Sequence, residues 1–445
     1  MIKPLAHHAP RLAAIILVSS ALIFLLARVI IPATSHMTHG FISYYTAAHL
    51  LAQGKLGPQA YDKQWFIAQA HALVNQPIDE VMTYNLPTVS LLALPLAGLP
   101  PATARAVWIW LNLLALFTGL ISLMITARLT SHLPRSPLTW RLIFTTFALL
   151  FPPVIANFLV GQVYIFIFCL FALALWGLAG QRHWLVGLAL GLAFVLKTSG
   201  LPLWLLLVMQ RRWAALGWGI GVVLALTGLS LPWVGLDIWR AYPGAVWSAA
   251  QDPLVAVTAY QTTYSYLTHL FRFDPLWNPA PLADWPILAK LLNFGLSGLA
   301  MGLTLWRGRQ AALPHFFAAL TPLSIILLPI AEEHQFVLLL IPIFILAGDL
   351  LRRATYLSID GVLLALALCL LVAPIPYYTA PALSNGWLAL LAYPRLYGAW
   401  LLWLVALRRM VVAEAANVGS RRTEVSSHPQ QLQQAAIGDR KTEVI

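Results

Sequence analysis

WLVGLALGLAFVLKTSGLPLWLLLVM, residues 184–209, holds a single ionisable side chain, Lys197, in an otherwise apolar run. As a helix it is long enough to cross a bilayer core, which takes about 20 apolar residues, and Lys197-Thr-Ser-Gly-Leu-Pro202 breaks it near its middle. The rest of the chain repeats the pattern. Of 445 residues 9 % are charged and 60 % hydrophobic, against about 25 % charged in a soluble domain. The chain therefore reads as an all-α polytopic membrane protein, which excludes a cytosolic enzyme and a secreted protein.

Working outward, further spans are expected near 12–31, 104–127, 141–157, 163–180, 213–231, 285–305, 311–330, 336–350, 357–374 and 387–407. Two stretches leave alternatives open. Either 86–100, interrupted by Pro87 and Pro95, is a short span and 184–209 one kinked helix, or the first is re-entrant and the second a pair of half-helices. Both give about 12 crossings. Placing Arg128, Arg135, Arg141 and Arg182 inside favours the re-entrant version.

The net charge of +12 is read as topology, because the arginines come as doublets between apolar runs and form no basic stripe. No nucleic-acid partner is expected. Arg211/Arg212, Arg307/Arg309, Arg352/Arg353 and Arg408/Arg409 fall at alternate ends of the runs, as the positive-inside rule requires. Residues 1–410 then form one membrane domain with both ends cytoplasmic, and 411–445, mixed in charge and without apolar period, a disordered cytoplasmic tail. Cys169 and Cys369 sit inside apolar runs, so neither a disulfide framework nor a cysteine metal site is expected.

This topology puts 32–85, 232–284 and the turn from Glu332 to Gln335 outside. Phe41, Tyr44, Ala48 and Leu51 repeat at helical spacing before Gly54, and Phe66, Ala70, Leu73 and Val74 do so before Pro77. Both helices are expected to lie in the membrane interface. The second loop carries Trp233, Trp239, Tyr242 and Trp247, suited to the headgroup layer, among Asp237, Asp252, Asp274 and Asp284, where substrate could be held.

No Walker-type glycine loop, His-Glu-x-x-His zinc motif or Asp-x-Asp motif is present. No cofactor or metal is expected. Lys197 stands out, since an ammonium at membrane depth is expensive unless it meets an anion or a water-lined cavity; a structural ion pair is the alternative. Arg28, near the outer end of the first span, either pairs with a lipid phosphate or snorkels to the interface. Gln162 follows Gly161 at a helix start, where its amide binds a sugar or caps backbone. Glu332-Glu333-His334 is either a proton-holding cluster or a solvated acidic turn.

Phe41-x-x-Tyr44-Tyr45-x-Ala47-Ala48, then Gly54, Tyr61-Asp62, Pro87, Pro95-Leu96, Leu99-Pro100, Trp108 and Asn112, resembles glycosyltransferase family 87, the polyprenyl-phosphate-mannose-dependent mannosyltransferases. Gly161-Gln162-Val163, the helix from Gly187 to Lys197, Gln261 and Thr262 before Leu270-Phe271, and His334 agree in order, so the resemblance runs from about 36 to 350. It implies a GT-C-like helical bundle, a cavity on the exterior face, and transfer of a sugar from a lipid phosphate. The family pattern carries an Asp just before the first-loop Phe as general base. This chain has Gly40 there, preceded by His39. Its Asn85-Leu86-Pro87 and Tyr260-Gln261-Thr262 likewise depart from the family's Tyr-Pro-Pro and Asn-Gln-Ser.

The sequence thus predicts a bacterial inner-membrane glycosyltransferase, acting outside, that moves mannose or another hexose from a polyprenyl-phosphate donor to a lipid or glycan acceptor. Arg28, Gln162, Lys197 and His334 are expected at the donor. His39 or Asp62, read as the one acid close to the first-loop helices in sequence, is expected to take the acceptor proton; a cap on the second of those helices is the alternative for Asp62. A catalytically silent assembly partner and a lipid or solute transporter are the alternatives.

Overall fold

The computed structural model describes residues 9–130 and 138–410. Lys3, Arg135 and the tail 411–445 lie outside them. Apart from one isolated bridge between Asp274 and Asn278, the described chain is helices and turns, so the all-α class holds.

The first span, α1 (Pro10–Ser35), is followed by the first-loop helices α2 (His39–Ala52) and α3 (Lys63–Val74). Next come a short α4 (Val89–Ala93) and a long α5 (Pro101–Leu129). Leu138–Leu150 (α6) and Pro152–Val160 (α7) form a pair bent by 45° at Phe151, the residue before a proline, where helical backbone is disfavoured. Then follow α8 (Tyr164–Ala179), α9 (His183–Lys197), α10 (Leu201–Met209) and α11 (Trp213–Gln251). The remainder is α12 (Thr263–Phe271), α13 (Pro286–Gly308), α14 (Leu313–Ile326), α15 (Leu340–Arg352), α16 (Ile359–Val372) and α17, a helix over 394–410. Among the described residues five helices are long and apolar enough to cross a membrane, or six with the bent pair as one span; α8, α9, α14 and α16 are shorter apolar helices.

Neither of the two ambiguous stretches is one continuous helix. Residues 86–100 hold only the five-residue α4 and a 3-10 turn at Leu94–Leu96, and five helical residues rise only about 7.5 Å. At 184–209, Thr198 (φ 49°) and Gly200 (φ 83°) turn the chain between α9 and α10, with Pro202 inside the first turn of α10. Helix continues past residue 232, α11 running on to Gln251 through one break at Gly235 (φ 75°, ψ 169°). The first-loop helix α2 is packed inside the protein. Phe41, Tyr44, Tyr45 and most of its other side chains are enclosed, because aromatic and apolar residues occupy nearly every face.

Small residues set the tightest helix contact. A β-carbon on Gly187 would stand 2.5 Å from the Ala215 carbonyl oxygen, and one on Gly191 2.9 Å from that of Gly219. The backbones of α9 and α11 therefore approach as only glycine permits.

The arginine doublets gather at the end of the bundle opposite Lys197. Asp349, fully buried, accepts from Arg352 at 3.0 Å, Arg353 at 2.9 Å and Arg409 Nε at 2.8 Å. Asp360 accepts from Arg408 Nε at 2.6 Å. Arg352/Arg353 and Arg408/Arg409 therefore clamp α15, α16 and α17 together. Removing one partner from such a buried set costs about 3–5 kcal/mol.

Candidate active site

Gln162 owes its place to the turn between α7 and α8. Gly161 ends α7 with φ 75°, the left-handed conformation that a helix stop takes at little cost only with glycine. The amides of Gly161 and Gln162 both return to the Asn157 carbonyl, at 2.7 and 3.2 Å. From α5, the buried Arg105 donates to the carbonyls of Ala33 (3.0 Å), Phe158 (3.2 Å), Leu159 (2.9 Å) and Val160 (3.3 Å). Trp108 Nε1 donates to the Gly161 carbonyl at 2.9 Å. The cation thus meets the exposed carbonyls of a helix end, where positive charge is favoured.

The start of α2 lies against that turn. Thr38 Oγ1 is 2.9 Å from the Leu159 and Val160 carbonyls, and the Tyr44 hydroxyl donates to Gln162 Oε1. A β-carbon on Gly40 would meet Gln162 Cγ at 2.7 Å. The Gln162 side chain therefore fills the space beside the position where the family pattern has its Asp.

Lys197 ends α9 with its Nζ 5.8 Å from the centre of the Tyr44 ring and 6.0 Å from that of Tyr164. Among the described residues it forms no ion pair. Aromatic faces attract a cation by about 0.5–2 kcal/mol each, less than a full anionic partner. Tyr164 packs on His334 with ring centres 5.3 Å apart, and His334 Nδ1 is 3.6 Å from Glu332 Oε2. The Glu332 side chain keeps 42 % of its surface open. Burial raises its carboxyl above the usual range, opposed by the charges of Lys197 and His39.

Glu80 joins this cluster from the segment between α3 and α4. His39 Nδ1 is 2.9 Å from the Asp79 carbonyl oxygen, and Ser43 Oγ donates to that of Val81 at 3.0 Å. One Glu80 oxygen accepts from the Val81 amide at 3.0 Å. Burial pushes its carboxyl up to about 8; the Val81 hydrogen bond and the Lys197 charge oppose this and Glu332 adds to it. Sequence reading passed over Glu80, since an Asp-Glu pair in a polar loop looks like solvated surface. No spacing rule could have found it, because only the folded loop brings it beside residue 40.

The expected residues divide. Gln162, Lys197 and His334 come together, with His39 at the rim, while Tyr44, Tyr164, Glu80 and Glu332 complete the cluster. Asp62 is exposed and accepts from the Trp65 amide at 2.7 Å as the N-cap of α3. Arg28 is exposed on a π-helical turn of α1. The second-loop acids brace local structure: Asp252 caps Leu254, Asp274 accepts from Leu276 and Trp277, Asp284 accepts from Phe273, and Asp237 pairs with Arg240. A separate cleft of about 360 Å³ lined by Gln251, Tyr264, Arg272 and Lys290 shares no residue with the cluster. Behind the cluster, buried Arg395 pairs with Glu333, and Gln261 donates to the Thr258 and Ala392 carbonyls at 2.7 and 3.0 Å, holding α17 against this end. Among the described residues no group of three or more His, Cys, Asp or Glu side chains is arranged to hold a metal ion.

An all-helical bundle, several of whose helices are apolar enough to cross a membrane, thus brings carboxylates, an ammonium and aromatic rings together at one end. Residues 83–331, over half of the chain, match the sequence model of Glycosyltransferase family 87, and the chain belongs to that family. The match leaves His39, Gly40, Glu80 and Glu332 outside it. The chain is also similar to an alpha-(1->3)-arabinofuranosyltransferase of Corynebacterium glutamicum, 26 % identical over 293 residues, 64 % of this chain and 60 % of the relative. No solved structure matches.

Proposed function

We propose that this glycosyltransferase takes its sugar from a polyprenyl-phosphate donor and passes it to a hydroxyl of a lipid or glycan acceptor, at the end of the bundle where Lys197, Glu80 and Glu332 meet. The observation that carries the reading is Lys197. It is an ammonium without an ion-pair partner among the described residues, flanked by Tyr44 and Tyr164 and near enough to Glu80 and Glu332 to act on both raised carboxyls. A phosphate diester complements that ammonium in charge, and its leaving dianion does so better still, so Lys197 favours the transition state over the ground state. Gln162, oriented by the Tyr44 hydroxyl, faces the sugar, and His334 flanks the phosphate. This end faces the outside of a bacterial inner membrane, with the arginine clamp toward the cytoplasm.

Membranes with and without the protein, given radiolabelled polyprenyl-phosphate sugars, test the reading. The resemblance favours mannose or another hexose, and the relative's name adds an arabinofuranosyl donor to the panel. Protein-dependent transfer from one of these is expected. Transfer from a nucleotide sugar alone would overturn the lipid-phosphate donor.

A further inference from the structure

We propose that Glu80 is the general base of the transfer, a carboxylate brought by the loop before α4 to the face of α2 that His39 and Ser43 share, next to the face that Gly40 and Gln162 occupy. This rests on the function proposed above. His39 and Ser43 stand one turn apart on α2 and so share a face. They hold the carbonyls of Asp79 and Val81, at 2.9 and 3.0 Å, which leaves Glu80 between two tethers on that face. Asn85 Nδ2, donating to Ser43 Oγ at 2.9 Å, fixes the same loop a third time. Gly40 and Tyr44 lie on the adjoining face, under Gln162.

The carboxylate is poised for this role. One of its oxygens is held by the Val81 amide, its one hydrogen bond among the described residues, and the other is free. Glu332, the other carboxylate of the cluster, already lies against His334. In the step, the acceptor hydroxyl gives its proton to the free Glu80 oxygen while its own oxygen bonds to the anomeric carbon. The bond from that carbon to the phosphate oxygen breaks, and its electron pair leaves on the phosphate facing Lys197. The proton passes from Glu80 to water once the product has gone.

Glu80 is held near 8 by its surroundings. A carboxyl raised in this way is a stronger base, but fewer copies are ionised at neutral pH. Lys197, Glu332, His39 and Tyr44 are the charged and titratable groups around it. The sign follows directly: the competent form is the ionised one, so the rate rises with pH toward about 8 and then levels.

The test compares Glu80→Gln with wild type as full-length protein in nanodiscs, using the labelled donor found above. A loss of about 10²- to 10⁴-fold in kcat with nearly unchanged donor KM is expected, together with loss of the rise toward pH 8, which Glu332→Gln keeps. Thermal stability should not fall, because a site that raises the pKa of a carboxyl disfavours its charged form and accepts the neutral amide. Glu80→Asp, which retains a shorter carboxylate, should return part of the rate and the pH rise. Wild-type transfer with Glu80→Gln keeping more than a tenth of the rate, or with Glu80→Asp no better than Glu80→Gln, overturns the role of Glu80 alone. A wild type inert toward every lipid-phosphate sugar overturns this role and the proposed function together.

Discussion

The Gln162 side chain stands where a β-carbon on Gly40 would have to be, its Cγ 2.7 Å from that position. The glycine and the glutamine are one arrangement: the missing side chain on α2 makes the room in which an amide from the α7–α8 turn reaches the Tyr44 hydroxyl.

Gly40→Ala should therefore push Gln162 aside and weaken the donor several-fold in KM, with kcat less affected. Gln162→Ala should cost a similar amount, and the double variant little more than either, because residues in contact are not additive. A double variant whose losses simply multiply would show that the two positions act separately.

Lys197→Met replaces an ammonium at membrane depth, which costs about 2.5–3.5 kcal/mol on insertion scales, with an apolar chain of similar length. The variant should reach the membrane in wild-type amounts and lose donor binding by at least tenfold. Normal donor binding with loss from the membrane would make Lys197 a structural pair instead.

Gly161→Ala attacks the support of the site. Its β-carbon would lie 1.6 Å from Arg105 Nη1 at a backbone φ of 75°. The left-handed conformation alone costs an alanine about 1–2 kcal/mol, and displacing Arg105 strips the end of α7 of its cation. A lowered unfolding temperature in detergent is expected, with activity falling alongside. An unchanged melting curve would mean that the turn rearranges freely.

The orientation can be read by labelling, in a chain whose exposed Cys369 has first been changed to Ser. Gln59→Cys and Gln76→Cys, exposed near the site, should react with a membrane-impermeant maleimide in intact cells. Gln310→Cys, exposed beside Arg309, should react only after permeabilisation. The reverse pattern would turn the site toward the cytoplasm.

The membrane class, most of the helices and the family were legible in the sequence, because each rests on local or additive quantities. Apolar runs of bilayer length, proline and glycine breaks such as Thr198–Gly200, and doublets of arginine keep their meaning whatever surrounds them. Lys197 was legible for the same reason, as a lone charge in an apolar segment has few physical explanations. That protein encloses α2 on nearly every side was not legible, because periodicity marks one apolar face and is silent on whether the remaining faces are covered as well. Asp62 drew attention by its nearness in sequence, and the fold uses it as a helix cap. Glu80 went unseen because its character is not its own. A carboxylate in a polar loop becomes a half-buried group near 8 only when His39 and Ser43 draw that loop against α2, near Lys197 and Glu332. Hydropathy and chain order therefore determined what kind of protein this is, while the site was decided by tertiary structure, since electrostatic environment and proximity depend on neighbours that lie far away along the chain.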